Sequence, residues 1–212
     1  LFRYTAPTWT ETFDTKHVEF RFCIGHCPRM DQLDPLDELL TCRLDSGRKA
    51  VEPCSIVIFG ASGDLTARKL IPALYHLFGE KQLPSPFRIV GFARREKSDA
   101  QWREELKSAL DKFSRTKPVN EEQWAAFSAN LFYCQGEFSD LAAYQKLEKQ
   151  LTEFGNEQLR RNLVFYLSTS PSQFAEVAEH LHNAKLLQKK EAGGFWQRVV
   201  VEKPFGHDLA SA

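Results

Sequence analysis

The chain has 212 residues, 42% of them hydrophobic, and 28 lysine and arginine residues balance 28 aspartate and glutamate residues. This composition suits one or two globular domains, and the balanced charge offers no basic surface for nucleic acid. The apolar runs have the length of strands, well short of the roughly 18 residues of a membrane span. Residues 1–14 have neither a basic start nor an apolar core, so no secretory signal is visible. We expect a cytoplasmic protein without nucleic-acid or membrane partners.

Residues 1–52 mix aromatic and charged side chains without a sustained period, which predicts a partly ordered extension. Three of the five cysteines lie in this segment, and together with a histidine they suggest a zinc site as one interpretation. The spacing of these residues matches no standard pair of zinc ligands, so reduced thiols are the favoured alternative. The side chains concerned are Cys23, His26, Cys27 and Cys42.

The most informative stretch joins an apolar run to a glycine turn and a helix start. Residues 55–59 have the character of a buried parallel strand, and Gly60 and Gly63 suit a tight turn that a ligand can approach closely. Free amides at the start of the next helix favour an anion, so the turn predicts the phosphate end of a dinucleotide site. An ordinary βα turn is the alternative; a P-loop is excluded, because it needs a longer spacer followed by Gly-Lys-Ser/Thr. The candidate cofactor-binding residues are Gly60, Ala61, Ser62, Gly63, Asp64 and Leu65. Asp64 is expected to cap the helix, with contact to the cofactor as the alternative.

From residue 53 onward, strands alternate with helices. Pro72 lies within the first helix, where its missing N–H should kink or loosen the backbone. This alternation predicts an α/β fold, a doubly wound Rossmann-like parallel sheet that binds ligands at the carboxyl ends of its strands. We assign residues 53–212 to this dinucleotide-binding domain. Further strands are predicted at residues 87–95, 131–138, 163–167 and 197–202.

Apolar side chains at helical spacing mark the connections between these strands. One helix is entered through a Ser139-Asp140 cap, and Ser170-Pro171 opens a later one. Another helix should present one apolar face, formed by Trp102, Leu106, Leu110 and Phe113.

The end of the second strand bears on the choice of cofactor. An NAD site places an acidic residue there for the ribose 2′-hydroxyl, and this carboxylate would repel a 2′-phosphate. Here the strand closes on Arg94 and Arg95, with no acid before Glu96. Because a guanidinium suits a phosphate and keeps its charge, we predict NADP as the cofactor, bound by Arg94 with help from Arg95. A solvated pair of arginines is the alternative.

Four motifs in this order resemble the amino-terminal part of the glucose-6-phosphate dehydrogenase family. They are GASGDL at residues 60–65, GFAR at 91–94, FYL at 165–167 and VVEKPFG at 200–206, and the resemblance covers residues 54–212. The VVEKPFG block is the most specific of the four. The resemblance implies an NADP-dependent oxidoreductase acting on glucose 6-phosphate, with Arg94 at the position that binds the 2′-phosphate.

The resemblance also implies roles for other side chains. Lys203 would contact the sugar phosphate and the nicotinamide end of the cofactor, with Pro204 as a cis-proline hinge between them. Tyr166 would line the site, although a purely structural place in a buried strand is as plausible. Lys69 would lie near the cofactor or else be solvated, and Thr66 stands where most family members have alanine.

The general base of the family is a histidine in an Asp-His-Tyr block, and no such block occurs in this sequence. We therefore expect no catalytic residue in this chain, with the base located beyond Ala212, and no turnover by the chain alone. The favoured interpretation is the cofactor-binding part of a dehydrogenase, truncated before the family's second α+β domain. A homo-oligomer is expected for the full-length enzyme only. A non-catalytic module that binds or senses NADP is the alternative.

Overall fold

A computed structural model describes residues 51–114, 117–188 and 194–202. Within these ranges, five strands form one parallel sheet: β1 (Cys54–Phe59), β2 (Phe87–Ala93), β3 (Leu131–Gln135), β4 (Leu163–Leu167) and β5 (Gln197–Val201). Their order in the sheet is β3-β2-β1-β4-β5. No helix in the described part of the chain is long and apolar enough to cross a membrane.

Helices cover both faces of this sheet, which confirms the predicted doubly wound α/β fold. The first connection is a π-helix (Thr66–Leu70) that continues directly into α1 (Ile71–Gly79). The remaining helices are α2 (Asp99–Phe113), α3 (Glu121–Ser128), α4 (Leu141–Glu153), α5 (Glu157–Arg161) and α6 (Phe174–Asn183). Helices α1 to α3 pack on one face of the sheet, whereas α4 and α6 pack on the other.

The sequence explains where these helices begin. Ser98 forms a capping box with Gln101, and Asn120 and Asn156 each accept a hydrogen bond from a backbone amide in the first turn that follows. Asp140 accepts from the amide of Ala142, so the cap predicted for this helix is confirmed. The helix predicted after Ser170-Pro171 begins with a 3₁₀ turn that leads into α6.

Pro72 is accommodated by the π-helix that precedes it. The amide of Ile71 donates to the carbonyl of Thr66, five residues earlier, and Pro72 then occupies the first turn of α1, where a missing N–H costs little. The loosening that the sequence predicted therefore takes the form of one widened turn. This turn lies immediately after the glycine turn.

Several expectations were wrong in detail, and one helix was not predicted. The strands predicted for residues 87–95 and 197–202 end at Ala93 and Val201. The strand predicted for residues 131–138 ends at Gln135, because the backbone turns at Gly136, whose amide donates to the carbonyl of Ala93. Phe113 does not share the buried face of α2; its side chain is 43% exposed and lies against the Arg68 guanidinium. The short helix α5 was not predicted, since five residues are too few to show a helical period.

The order of the strands places a switch point between β1 and β4. Chain connections run outward from β1 to β2 and β3, then return to the other side of β1 through β4. The amide of Ser168, just after β4, donates to the carbonyl of Phe59 at the end of β1, with a nitrogen–oxygen distance of 3.0 Å. In open parallel sheets, ligands bind at the carboxyl edge at such a point. Gly60 follows Phe59 at this position.

The two described cysteines should be inert towards alkylation in the folded protein. Cys54 and Cys134 are free and buried, and burial raises the pKa of each thiol from 9.0 to about 11. Since the thiolate is the nucleophile, we expect iodoacetamide at pH 8 to modify neither thiol until the chain is unfolded. Peptide mapping by mass spectrometry measures this, and equal labelling of both thiols with and without denaturant would contradict it.

The same raised pKa values determine the direction in which folding stability changes with pH. The folded state holds these thiols protonated, so their contribution to stability is complete below pH 9 and is lost as the pH rises through about 11. Each thiol contributes a slope of up to about 1.4 kcal/mol per pH unit in this window. Denaturant unfolding of the Cys134→Ala variant should show a shallower alkaline loss of stability than the unmutated chain.

Candidate functional site

The turn after β1 is held in a conformation that only glycine adopts readily. Gly60 has a φ of +85°, and the amides of Gly60 and Ala61 both donate to the carbonyl of Phe92 at the end of β2. A Cβ on Gly60 would lie 2.3 Å from the carbonyl oxygen of Ser168. The backbone of β1 therefore passes between the ends of its two neighbours, and no side chain fits there.

The carbonyl groups of this turn are occupied by donors from within the protein. The carbonyl of Gly60 accepts from the amide of Gly63 at 2.8 Å and from the Thr66 hydroxyl at 3.3 Å. The carbonyl of Ala61 accepts from the indole Nε1 of Trp102 at 3.3 Å. Thr66 and Trp102 are both buried, so these bonds are shielded from water.

Several amides of the same turn remain available to a ligand. Among the residues that the structure describes, none accepts a hydrogen bond from the amides of Ser62, Asp64 or Leu65. These groups lie at the start of a helical segment that continues to Gly79, where free amides and the helix dipole favour an anion. With the carbonyls of Gly60 and Ala61 bonded inside the protein and these amides free, the turn fits the pyrophosphate of a dinucleotide.

Asp64 does not cap the helix, contrary to the expectation from the sequence. Its carboxylate accepts from the guanidinium of Arg68 at 3.2 Å, one turn later, and the side chain is mostly exposed. The Ala67 amide, which a cap at Asp64 could have bound, donates to the carbonyl of Gly63 instead. Contact of Asp64 with the cofactor, rather than capping, remains the prediction for this residue.

Thr66 and Lys69 occupy different surroundings. Thr66 is fully buried, and its hydroxyl binds the turn from the protein side, so it does not crowd the side that a ligand would approach. Lys69 is exposed and forms no ion pair with any described residue. Its role near the cofactor stays a prediction.

Arg94 lies beside the glycine turn at the carboxyl edge. It follows β2 by one residue, and the carbonyl of Phe92, two residues earlier, is the acceptor for the turn amides. The Arg94 side chain is exposed and has no carboxylate within ion-pair distance in the described part of the chain. An exposed, unpaired guanidinium next to a phosphate-binding turn is suited to a second phosphate group.

Tyr166 lies on β4, with Ile58 and Val200 as its neighbours on the adjacent strands. Its hydroxyl donates to the carboxylate of Glu202, just beyond β5. Burial, followed by this hydrogen bond and the Glu202 charge, raises the pKa of the Tyr166 phenol, so the hydroxyl stays protonated. The structure thus brings Tyr166 and Glu202 together at the carboxyl edge. Lys203 and Pro204 lie outside the described residues.

The described histidines belong to helices and not to the turns at this edge. His76 is in the last turn of α1, and His180 and His182 are in the last turn of α6. His76 contacts the Ser114 hydroxyl, and His182 contacts the carbonyl of Leu187. Within the described ranges no group of three potential metal ligands occurs, and the cysteines and histidine of the proposed zinc site lie outside those ranges.

Sequence analysis missed two side chains that support the site. Trp102 was recognised only as part of a helical face, yet its indole binds the glycine turn. Tyr133 donates its hydroxyl to the carbonyl of Arg95 at 2.6 Å. A signal was available in Gly91: a glycine inside a strand indicates close approach of another group, and here the Trp102 ring fills that space.

Known proteins with similar sequences also indicate a dinucleotide-binding domain. The family described as "Glucose-6-phosphate dehydrogenase, NAD binding domain" matches residues 57–212. Glucose-6-phosphate 1-dehydrogenase of Chlamydia pneumoniae is 47% identical over 162 residues, which cover 76% of this chain and 31% of that protein. The chain spans about a third of the length of the curated relatives that it matches.

Solved structures give the same result. A glucose-6-phosphate dehydrogenase in complex with its substrate glucose-6-phosphate is 32% identical, with a TM-score of 0.65, over 78% of this chain and 33% of that one. Glucose-6-phosphate 1-dehydrogenase from Mycobacterium avium is 30% identical, with a TM-score of 0.62, over 74% of this chain and 31% of that one. The chain therefore belongs to the glucose-6-phosphate dehydrogenase family of oxidoreductases and carries its dinucleotide-binding domain.

Proposed function

We propose that this chain binds NADP as the cofactor-binding part of an enzyme that oxidises glucose 6-phosphate to 6-phosphogluconolactone. The observation that carries the proposal is the glycine turn at the switch point of the sheet. Its carbonyls are bonded inside the protein and its amides are free, while an unpaired arginine follows the neighbouring strand. We infer the identity of the substrate from the names of the relatives described above.

The choice of NADP over NAD rests on charge at the end of β2. An NAD site has a carboxylate there, and the described residues near Arg94 present none within ion-pair distance of its guanidinium. The cost of desolvating a 2′-phosphate is offset only where a cation faces it. We assign the 2′-phosphate to Arg94, with the pyrophosphate on the amides of Ser62, Asp64 and Leu65.

Bound NADP would supply the hydride acceptor, and the residues of this chain would position it. The glycine turn and Arg94 would hold the adenosine end, while Tyr166 lies at the carboxyl edge beyond the switch point. Lys203 follows Glu202 directly in the sequence, and we assign it to the sugar phosphate and the nicotinamide end by family resemblance.

The reaction also needs a base for the hydroxyl proton at C1 of the sugar. None of the described histidines forms an ion pair with a described carboxylate, as the aspartate-paired base of the family does. The sequence also lacks the Asp-His-Tyr block of that base, so we propose that the chain alone binds NADP without turnover. A homo-oligomeric full-length enzyme in the cytoplasm is part of the proposal, and the free thiols Cys54 and Cys134 are consistent with a reducing compartment.

Removal of the Arg94 guanidinium tests the assignment. In the Arg94→Ala variant we expect the Kd for NADP to rise about 10- to 100-fold, since hydrogen bonds to charged groups are worth about 1.5–3 kcal/mol. The Kd for NAD should stay within about twofold, because NAD has no 2′-phosphate. Calorimetric titration with both nucleotides at matched ionic strength measures the two values.

Arg160→Ala provides the control. It removes the same charge from a partly exposed residue of α5, which lies at the amino end of β1, where the carbonyl of Leu159 accepts from the Ser55 hydroxyl, whereas the glycine turn follows the carboxyl end of β1. Its two Kd values should match those of the unmutated chain. An equal loss of NADP and NAD binding in Arg94→Ala would contradict the assigned role.

A further inference from the structure

We propose that Trp102 and Tyr133 form one buried pair that positions both phosphate-binding elements, with a separate task for each ring. This inference rests on the proposed function. The two ring centroids are 5.6 Å apart, and both side chains are buried between α2 and the sheet. One ring binds the glycine turn and the other binds the segment that carries Arg94. Both are positioning residues, because they act through the backbone of other residues.

Trp102 holds the turn from the protein side. Its indole N–H donates to the carbonyl of Ala61, and its ring lies over Gly91, where a Cβ would be 2.5 Å from the ring. The carbonyl of Ala61 is thereby kept turned into the protein. Without this donor the peptide could rotate and present its carbonyl dipole to a phosphate, which would repel it. The Trp102 contact therefore supports the pyrophosphate, a group that NADP and NAD share.

Tyr133 holds the arginine segment. Its hydroxyl donates to the carbonyl of Arg95 at 2.6 Å and lies 3.4 Å from the carbonyl of Ala93. These two carbonyls flank Arg94, so the hydroxyl fixes the backbone on both sides of the residue assigned to the 2′-phosphate. The Tyr133 contact therefore supports a group that NADP has and NAD lacks.

Two conservative variants separate these tasks, because each keeps a ring and removes one donor. In Trp102→Phe we expect the Kd values of NADP and NAD to rise together, by about 3- to 10-fold, the usual effect of one lost hydrogen bond. In Tyr133→Phe the Kd of NADP should rise by a similar factor, while that of NAD stays within about twofold. The measured quantities are the two Kd values from calorimetric titration, which test Trp102→Phe, and their ratio, which tests Tyr133→Phe.

Matched controls come from the same face of the sheet. Trp124→Phe changes another buried indole, whose N–H has no partner among the described residues. Tyr75→Phe removes another phenol-to-carbonyl hydrogen bond, to Asn120, remote from the site. A purely structural role would lower the thermal midpoint in these controls as in the two test variants, and would leave both Kd values of the folded protein unchanged in all four.

The outcomes are distinct. Nucleotide binding by the unmutated chain with unchanged Kd values in both test variants overturns this inference alone, as does an equal loss of NADP and NAD in Tyr133→Phe. An unmutated chain that binds neither nucleotide overturns the proposed function and this inference with it.

Should either variant fail to fold, the unmutated chain provides a second measurement. Hydrogen exchange of the Trp102 indole N–H, followed by NMR, should slow by at least about threefold when NADP or NAD immobilises the turn. Unchanged exchange at saturating nucleotide would overturn the role of Trp102.

Discussion

Replacing Gly60 with alanine is expected to destabilise the fold by about 3–5 kcal/mol and to abolish measurable NADP binding. Two costs add: a non-glycine residue at a φ of +85° is strained, and its Cβ would lie 2.3 Å from the carbonyl oxygen of Ser168. That oxygen belongs to the backbone at the end of β4, so relief requires separation of two central strands. Denaturant unfolding at neutral pH measures the free energy of unfolding directly.

Gly155→Ala is the matched control for this prediction. Gly155 also has a positive φ, +65°, but a Cβ there would meet nothing within 4 Å. It therefore isolates the conformational cost, about 1–2 kcal/mol, and should leave nucleotide binding intact. An equal loss of unfolding free energy in Gly60→Ala and Gly155→Ala would show that the close approach between Gly60 and Ser168 adds no steric cost.

Gly91→Ala should have a comparable effect for a different reason. A Cβ on Gly91 would lie 2.5 Å from the Trp102 ring and 2.8 Å from the Cβ of Ala61, with no strain in φ. Because the indole is fully buried and the turn is fixed beside it, we expect a loss of about 2–4 kcal/mol. Nucleotide affinity should fall as well, since relief by movement of Ala61 displaces the glycine turn. Thermal and denaturant unfolding, with titration of the folded variant, measure both effects.

A double-mutant cycle checks the cause. Trp102→Leu makes room above Gly91, so Gly91→Ala should cost at least about 1 kcal/mol less in the Trp102→Leu background than in the unmutated chain. If the losses of unfolding free energy in Gly91→Ala and Trp102→Leu were strictly additive, a clash with the indole would not be the cause of the Gly91→Ala effect.

The sequence sufficed to predict the fold, and it identified the segments that form the candidate site. The run of apolar residues before Gly60 predicted β1, and the alternation of strands and helices predicted the parallel sheet, because both depend on local patterns. The glycine turn and Arg94 were predicted from the spacing of a few adjacent residues. The structure places them on neighbouring strand ends at the carboxyl edge of the sheet.

The parts that were missed depend on contacts between residues far apart in the chain. The Trp102 and Ala61 contact spans 41 positions, and the Tyr133 and Arg95 contact spans 38, so no local pattern reports them. The expected cap at Asp64 was wrong because a competing partner, Arg68, lies one helical turn away. Propensity indicates which residues can cap a helix, whereas a competing partner such as Arg68 can hold the side chain away from the helix amides.

The central claim is that the glycine turn and Arg94 together form an NADP site. Calorimetric titration of the unmutated chain with NADP and with NAD, at matched ionic strength, tests it most directly. The account predicts saturable binding of NADP at least about 10-fold tighter than that of NAD, the factor expected from charge-assisted contacts to one phosphate. Equal affinity for the two nucleotides, or no binding of either, would contradict it.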